Sequence, residues 1–248
     1  MRAMIFAAGL GTRLKPWTDH HPKALAKVNG KSLLQRNIEY LQGYGINEVV
    51  VNVHHFADQI EEAIQSHNGW GSKIFISNER DEVLETGGGL WKARTYFEDQ
   101  PVFLTMNADI LTNTNLHQLI EAHRKGDRLV TLAVMQRESS RQLLFDQKNH
   151  LRGWRNKKTG EEKGEVINSD LTGEPLKELA FSGIACYKPE IFSLIPPGGK
   201  FSLTDFFLEI AAKHPILAYE HTGDILLDVG SEEKLKRAEA IISGAKNC

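Results

Sequence analysis

Two glycines and two cationic residues lie close together near the start of the chain. Gly9 and Gly11 follow the apolar run 4–8, and Arg13 and Lys23 come shortly after them. The run predicts a short buried strand, and glycine after it allows a sharp turn with accessible backbone N–H groups. An arginine and a lysine beside such a loop are suited to binding a polyphosphate. On these residues alone, an ordinary glycine turn with two solvated cations remains the alternative.

Neither of the two common nucleotide-binding motifs is present. The dinucleotide fingerprint requires a third glycine or alanine where Leu14 stands, and an acidic residue about 20 positions further on, where segment 28–31 has none. The phosphate loop of P-loop NTPases requires Gly-Lys-Ser/Thr at the helix start, whereas residues 11–13 read Gly-Thr-Arg. The pattern therefore disfavours both a dehydrogenase and a P-loop NTPase.

Two aspartates follow apolar segments. Asp109 comes after the predicted strand 101–106, and Asp228 follows Leu226 and Leu227. A carboxylate at the end of a buried strand is costly unless it is paired or holds a cation. Two such aspartates could together hold Mg²⁺, which prefers carboxylate, phosphate and water oxygens. A helix cap or a structural hydrogen bond is the alternative role for each.

Glycines mark two further positions. Residues 86–89, Thr-Gly-Gly-Gly, open a predicted helix whose free N–H groups and dipole suit an anion or a base edge. A plain tight entry into the helix is the alternative. Gly183 lies inside the predicted strand 181–187, which indicates close approach of a ligand or another backbone, or else a bulge.

Strands alternate with helices over the first half of the chain, which predicts the α/β class with a mostly parallel central sheet covered on both faces. Such sheets bind ligands at the carboxyl ends of their strands. The predicted strands are 4–8, 48–53, 73–77, 101–106 and 129–135, and the predicted helices are 32–45, 57–66, 86–96 and 116–125.

The second half is more irregular. A hairpin at 143–154, turning around 147–150, precedes a polar and flexible excursion at 155–178. A helix at 203–213, a strand at 225–229 and a closing helix at 232–243 follow the strand that contains Gly183. Because no linker separates the halves, we expect a single domain, 1–248.

The composition of the chain indicates which classes of binding partner and which cellular compartment to expect. The 248 residues are 41% hydrophobic and 25% charged with a net charge of −2, so neither nucleic acid nor an anionic membrane is an expected partner. Cys186 and Cys248 form no metal-binding spacing or disulfide framework, which indicates a reducing compartment. With no signal peptide or membrane span in the pattern, we expect a cytoplasmic protein.

Taken together, these motifs resemble those of the sugar-1-phosphate nucleotidyltransferase family, and most closely the branch of the N-acetylmuramate-1-phosphate uridylyltransferases and mannose-1-phosphate guanylyltransferases. The similar segments follow the family's order along nearly the whole chain, at 7–16, 22–25, 28–31, 86–89, 107–109, 181–184 and 228–231. The resemblance implies a Rossmann-like three-layer sandwich of the nucleotide-diphospho-sugar transferase type, without a C-terminal β-helix. It also implies a nucleotide-binding part at about 1–135 and a sugar-phosphate-binding part at about 136–248.

The resemblance assigns roles residue by residue. Arg13 would hold the β- and γ-phosphates, Lys23 would neutralise the α-phosphate, and Asp109 would complete the catalytic group. Asp109 and Asp228 would hold Mg²⁺, and Gly183 and Asp228 would border the sugar phosphate. The residues expected to bind the nucleotide are Ala8, Gly9, Gly11, Thr12, Arg13, Lys23, Glu79, Thr86, Gly87, Gly88 and Asn107.

The implied activity is Mg²⁺-dependent transfer of a nucleoside monophosphate from a nucleoside triphosphate, UTP favoured, to a sugar 1-phosphate. The products would be a nucleoside-diphosphate sugar and pyrophosphate, made by a monomer or small homo-oligomer. The alternatives are a guanylyltransferase on mannose or heptose 1-phosphate, a cytidylyltransferase on a phospho-alcohol, and a non-catalytic nucleotide-sugar sensor. A sensor would be expected to lack Lys23 or Asp109, and both are present.

Overall fold

The computed structural model describes residues 1–165 and 175–244 as an α/β chain. The strands are β1 Arg2–Phe6, β2 Lys27–Val28, β3 Lys31–Ser32, β4 Glu48–Val53, β5 Lys73–Asn78, β6 Phe103–Asn107, β7 Ile110–Thr112, β8 Val130–Met135, β9 Arg141–Phe145, β10 Leu151–Asn156, β11 Glu162–Gly164, β12 Lys177–Tyr187, β13 Ile216–Glu220 and β14 Leu226–Asp228. The helices are α1 Leu33–Gln42, α2 Ala57–Ser66, α3 Glu85–Lys92, α4 Leu116–Arg124, α5 Leu203–Ile210 and α6 Glu232–Gly244.

The first half of the sheet is parallel. Strands β5, β4, β1 and β6 lie side by side in that order. The register places Phe6 at the end of β1 beside Asn52 of β4 and Asn107 of β6. The carboxyl ends of these strands therefore meet at one edge, as the predicted α/β class requires.

Strand β12 joins this parallel part to an antiparallel extension. It pairs antiparallel with β6 and β8, and its first residues pair with β9. Strand β13 lies parallel to β8 on the far side, while β9, β10 and β11 form an antiparallel meander. The register of β12 against β8 shifts between Phe181 and Ala185, and Gly183 in this bulge has a φ of 76°. The sequence indicated either a close approach or a bulge at Gly183, and the bulge is present.

Helices cover both faces of the sheet, which confirms the three-layer sandwich. Along β1, Met4 packs into one core, whereas Ala3 and Ile5 pack into the other. Helices α3 and α5 contribute to the first core and α1, α2 and α4 to the second. Helix α6 covers a smaller apolar cluster that includes Leu14 and Val229.

Most predicted elements are confirmed, but several of their ends shift. Strand β1 covers residues 2–6 rather than 4–8, and β12 begins at Lys177 rather than at residue 181. Three helices end at least three residues earlier than predicted. The side chain of Ser32 accepts a hydrogen bond from Gln35 N (3.1 Å) and caps α1, which ends at Gln42 rather than near residue 45. Helix α3 ends at Lys92, because residues 94–96 form a 3₁₀ turn. Helix α5 ends at Ile210, three residues short of the prediction.

The polar excursion predicted at 155–178 is wrong for its first ten residues. They complete β10 and form β11, since Arg155 pairs in register with Glu162 and both charges are neutralised across the hairpin (Nε to Oε1, 2.5 Å). Its middle, at 166–174, lies outside the described residues, as does Cys248. The division into parts at about 1–135 and 136–248 stays a prediction.

Two expectations about the chain as a whole can be compared with the structure. Cys186 is fully buried in β12, where it packs as a small apolar residue. In the part of the chain that the structure describes, no helix has both the length and the apolar character needed to cross a membrane.

Phe103 is the centre of an aromatic cluster beneath the sheet. Its ring stacks on Phe97 (4.6 Å between centroids), Tyr187 (4.9 Å) and Phe192 (5.3 Å), and it is fully buried. We expect Phe103→Ala to lower the free energy of unfolding by about 3–5 kcal/mol, since the cavity cannot collapse between stacked rings. Urea unfolding measures this loss, and Phe181→Ala, a partly buried residue, is the control with a smaller expected effect. Equal losses for the two variants would contradict the prediction.

Candidate active site

A crevice of about 490 Å³ lies at the carboxyl edge of the parallel strands. It is bounded by the loop after β1, the end of β6 and the start of α3. Nine of the predicted site residues line it, namely Ala8, Gly9, Gly11, Thr12, Arg13, Lys23, Thr86, Asn107 and Asp109. The structure therefore brings the predicted polyphosphate loop and the first predicted aspartate together.

The two glycines of the loop serve different purposes. Gly11 has a φ of 62°, and its carbonyl accepts hydrogen bonds from Leu14 N (2.9 Å) and Thr18 Oγ1 (3.0 Å). A Cβ on Gly11 would lie 2.9 Å from Cβ of Lys23, so glycine allows the loop to pack against that residue. A Cβ on Gly9 would meet no atom of the described residues within 4 Å, which leaves room for a ligand beside its backbone.

Asn52 holds the start of this loop, although the sequence analysis did not identify it. Its Oδ1 accepts a hydrogen bond from Ala7 N (2.7 Å), and its Nδ2 donates to Glu79 Oε1 (2.8 Å). Asn52 also lines the crevice. The signal in the sequence was a single asparagine at the end of an otherwise apolar run, in β4.

Glu79 was predicted to bind the nucleotide, but it does not line the crevice. Its side chain is fully buried behind the wall, where it accepts hydrogen bonds from Asn52 and from Leu84 N (3.4 Å). Burial raises the pKa of Glu79, although both hydrogen bonds oppose the change. The contact predicted between Glu79 and the nucleotide is corrected to a supporting contact made through Asn52.

The glycines of α3 also lie behind the wall. Gly87 N donates to Phe201 O (2.9 Å), and a Cβ on Gly87 would lie 2.1 Å from Cε2 of that ring. A Cβ on Gly88 would lie 2.1 Å from Gly199 O. These glycines allow α3 to pack against the segment before α5, which favours the tight-entry alternative over free N–H groups. Thr86 is the member of this motif that lines the crevice.

Lys23 and Asp109 form an ion pair in the crevice. Lys23 Nζ donates to Asp109 Oδ2, and the two side chains are only 14% and 23% exposed. The backbone of Asp109 is held from the other side, because its carbonyl accepts from Val229 N (2.8 Å). Both charges therefore stay largely desolvated, and each neutralises the other.

Asp228 lies next to this pair, behind the crevice lining. Its Oδ2 accepts from Lys234 Nζ (2.8 Å), whereas its Oδ1 is buried and has no hydrogen-bond partner within residues 1–165 and 175–244. Burial opposes ionisation of Asp228, but Lys234, Lys23 and Arg13 together hold its pKa below the usual range. A Cβ on Gly230 would lie 2.9 Å from both Arg13 Nη2 and Asp228 Oδ1, so this glycine, which sequence analysis missed as a site residue, allows the two charges to approach.

Gly183 supports the crevice from below rather than lining it. A Cβ there would lie 2.9 Å from Asn107 Nδ2 and 3.0 Å from Ile110 Cγ1. The bulge in β12 thus presses against a residue of the crevice wall. Its predicted contact with a sugar phosphate stays a prediction.

The arrangement is suited to a polyanion and a divalent cation. Arg13 and Lys23 offer positive charge beside a loop of accessible backbone. Asp228 pairs in register with Ile110, the residue that follows Asp109. Within 1–165 and 175–244, no three His, Cys, Asp or Glu side chains form a metal-binding group. The two carboxylates fit Mg²⁺, since Asp228 Oδ1 has no partner in the described part of the chain and Mg²⁺ takes its remaining ligands from phosphate and water.

Comparison with known proteins agrees with this geometry. The family model described as "Nucleotidyl transferase" matches residues 2–243. An N-acetylmuramate alpha-1-phosphate uridylyltransferase of Neisseria meningitidis is 32% identical over 99% of this chain and 100% of its own length. The Caulobacter vibrioides protein of the same name is 30% identical over 95% and 97%. The crystal structure of HddC from Yersinia pseudotuberculosis has the same fold, with a TM-score of 0.77 at 24% identity, covering 97% of this chain and 99% of that one.

Replacing Glu79 should change how stability depends on pH. Because the folded state raises the pKa of Glu79, it retains a proton that the unfolded chain releases above about pH 4.3. The contribution of Glu79 is therefore fully present below that pH and is lost as the pH rises through the folded-state pKa. We expect the stability of the native protein relative to Glu79→Gln to fall over this range.

The measurement is urea unfolding of both proteins at a series of pH values from about 4 to 7. Glu82→Gln, which removes an exposed carboxylate from the same loop, is the matched control and should parallel the native protein. A difference between Glu79→Gln and the native protein that does not change with pH would contradict the assignment.

Proposed function

Because the chain belongs to the nucleotidyl transferase family, we propose that it transfers a nucleoside monophosphate from a nucleoside triphosphate to a sugar 1-phosphate. The observation that carries this proposal is the Lys23–Asp109 pair beside the glycine loop, with Arg13 lining the same crevice. Two cations beside accessible backbone N–H groups can hold three linked phosphates.

The chemistry requires no catalytic base. A phosphate oxygen of the sugar 1-phosphate is already anionic, and it attacks the α-phosphorus while the bond to the bridging oxygen of the β-phosphate breaks. Pyrophosphate leaves with that electron pair. The enzyme must align the two substrates and reduce the repulsion between their phosphates. We assign the α-phosphate to Lys23 and the departing phosphates to Arg13.

The loop and the aspartates complete this assignment. Backbone groups of Ala8, Gly9 and Gly11 would hold the nucleotide, as would the side chains of Thr12, Thr86 and Asn107. Asp109 and Asp228 would hold Mg²⁺. The observation that supports this role is the buried Oδ1 of Asp228, which no described residue hydrogen-bonds. When bound, Mg²⁺ neutralises phosphate charge and orients the oxygens that coordinate it.

UTP and N-acetylmuramate 1-phosphate are the substrates that we favour. The support is the full-length similarity to two enzymes named for that pair. A guanylyltransferase on mannose or heptose 1-phosphate and a cytidylyltransferase on a phospho-alcohol remain alternatives. A cytoplasmic location and a monomer or small homo-oligomer are part of the same proposal.

A pyrophosphate-release assay tests the function. UTP, GTP, CTP, ATP and dTTP are each combined with N-acetylmuramate, mannose, glucose and heptose 1-phosphates, with and without Mg²⁺. Turnover with UTP and N-acetylmuramate 1-phosphate would support the full proposal, and turnover with another pair would correct the substrates. A folded protein that binds nucleotide but turns over no pair would favour the sensor alternative or a phospho-alcohol acceptor.

Removing either partner of the ion pair should abolish most of the turnover. We expect Lys23→Ala and Asp109→Ala each to lower kcat by about 10²–10³-fold, the usual loss of one electrostatic partner of a transition state. Lys27→Ala, which removes an exposed lysine four residues away, should leave kcat unchanged. Thermal unfolding checks that the variants stay folded. Folded variants with native kcat would contradict these roles.

A further inference from the structure

Two buried polar atoms that have no hydrogen-bond partner among the described residues belong to Arg137 and Gln142. They are Nε of Arg137, a donor, and Oε1 of Gln142, an acceptor. The two residues are in contact, because Gln142 Nε2 donates to the backbone carbonyls of Arg137 (3.3 Å) and Ser139 (3.2 Å). Gln142 is only 4% exposed. Since buried polar groups in folded proteins are nearly always paired, an unpaired donor and an unpaired acceptor on two residues in contact indicate that a partner is absent.

The position of this pair in the fold connects it to the active site. Arg137 follows β8 and donates from Nη2 to Phe181 O (3.0 Å), at the start of the bulge that contains Gly183. That bulge presses against Asn107 of the crevice wall. Burial lowers the pKa of Arg137, and the negative charge of Asp228 opposes that change, so Arg137 lies within electrostatic range of the second aspartate.

The guanidinium of Arg137 and the amide oxygen of Gln142 suit a ligand that carries both an acidic group and a hydrogen-bond donor. A guanidinium binds phosphate or carboxylate through several N–H donors at once, and Arg137 uses one of its donors on Phe181. An amide oxygen accepts from a hydroxyl or an amide N–H. A sugar that carries an acidic group together with hydroxyl or acetamido groups offers both partners in one molecule.

We propose that Arg137 and Gln142 bind the acceptor substrate, Arg137 through an acidic group and Gln142 Oε1 through a hydroxyl or amide N–H. This inference rests on the proposed function and assigns two residues of the acceptor subsite that sequence analysis did not select. The acidic group has two possible sources. It is the phosphate at the anomeric carbon, which every sugar 1-phosphate has, or the carboxylate that N-acetylmuramate carries in addition.

Steady-state kinetics with two matched acceptors separates these sources. N-Acetylmuramate 1-phosphate and N-acetylglucosamine 1-phosphate differ by the ether-linked carboxylate. For Arg137→Met we expect kcat/KM of the acceptor to fall about 10- to 100-fold, the usual range for a hydrogen bond to a charged group, while KM of the nucleoside triphosphate stays native. Arg137→Lys, which retains the charge, should recover part of the loss. Gln142→Met should show a smaller loss of the same kind.

The control is Arg124→Met, which removes an exposed arginine from the end of α4, before β8 begins, and should be native in all parameters. A loss with both acceptors assigns Arg137 to the phosphate, and a loss confined to N-acetylmuramate 1-phosphate assigns it to the carboxylate. Native acceptor kinetics in folded Arg137→Met and Gln142→Met would overturn the proposal.

Calorimetric titration with each sugar 1-phosphate distinguishes failure of this inference from failure of the proposed function. If the native protein turns over no substrate pair but binds a sugar 1-phosphate and Arg137→Met binds it at least tenfold more weakly, the subsite stands and the catalytic proposal falls. If the native protein turns over a substrate pair and Arg137→Met binds the acceptor as tightly as the native protein does, the catalytic proposal stands and the subsite falls. A native protein that neither binds nor turns over any of the sugar 1-phosphates overturns both. Nucleotide affinity and Tm confirm the integrity of each variant.

Discussion

The parallel register of β1 between β4 and β6 is the constraint on which the active site depends. Phe6 pairs with Asn52 on one side and Asn107 on the other, and its carbonyl accepts from Ala108 N (3.1 Å). A slip of one residue would exchange the faces of β1 and send Met4 into the opposite core. It would also move Ala7 N away from the asparagine that holds it. The cores on both faces of the sheet therefore determine where the glycine loop begins.

The regular elements of the first half could be predicted because their signals are local. The β-branched run of β4 and the apolar stripe of α2 have the bounds that the sequence predicts. Strands β7 and β13 were not predicted. Each is short, and each is defined by a partner distant in the chain, β14 for the former and β8 for the latter. The antiparallel turn at 155–164 was missed for a similar reason, since its charges are paired across strands and not along them.

The positions of site residues that follow strand ends were predicted correctly. The positions of residues that depend on packing between distant segments were not. Lys23 and Asp109 meet as expected because both follow parallel strands or their loops. Glu79 stands in a polar stretch that suggests exposure, yet it is fully buried because Asn52 and Leu84 N take up its oxygens. Gly87 and its neighbours suggest an open helix start, but residues 199–201 close it. The hydrophobic periodicity of a sequence carries no information about contacts between segments so far apart in the chain.

Some buried polar groups are hydrogen-bonded within the protein and others are not. This difference explains how one fold can be stable and still bind ligands. On the nucleotide side, buried polar groups such as Asn52 and Glu79 are paired within the protein, so the loop is held before any ligand arrives and less ordering is needed on binding. By contrast, Asp228 Oδ1, Arg137 Nε and Gln142 Oε1 are buried with no hydrogen-bond partner among the residues that the structure describes. Leaving these atoms unpaired costs stability, and a substrate that pairs with them offsets the cost. Buried atoms without partners among the described residues also occur away from the crevice, at Trp70 Nε1 and His123 Nε2. At the acceptor subsite that we propose, the missing contacts would come from the substrate, which is the arrangement expected if binding there is to discriminate between acceptors.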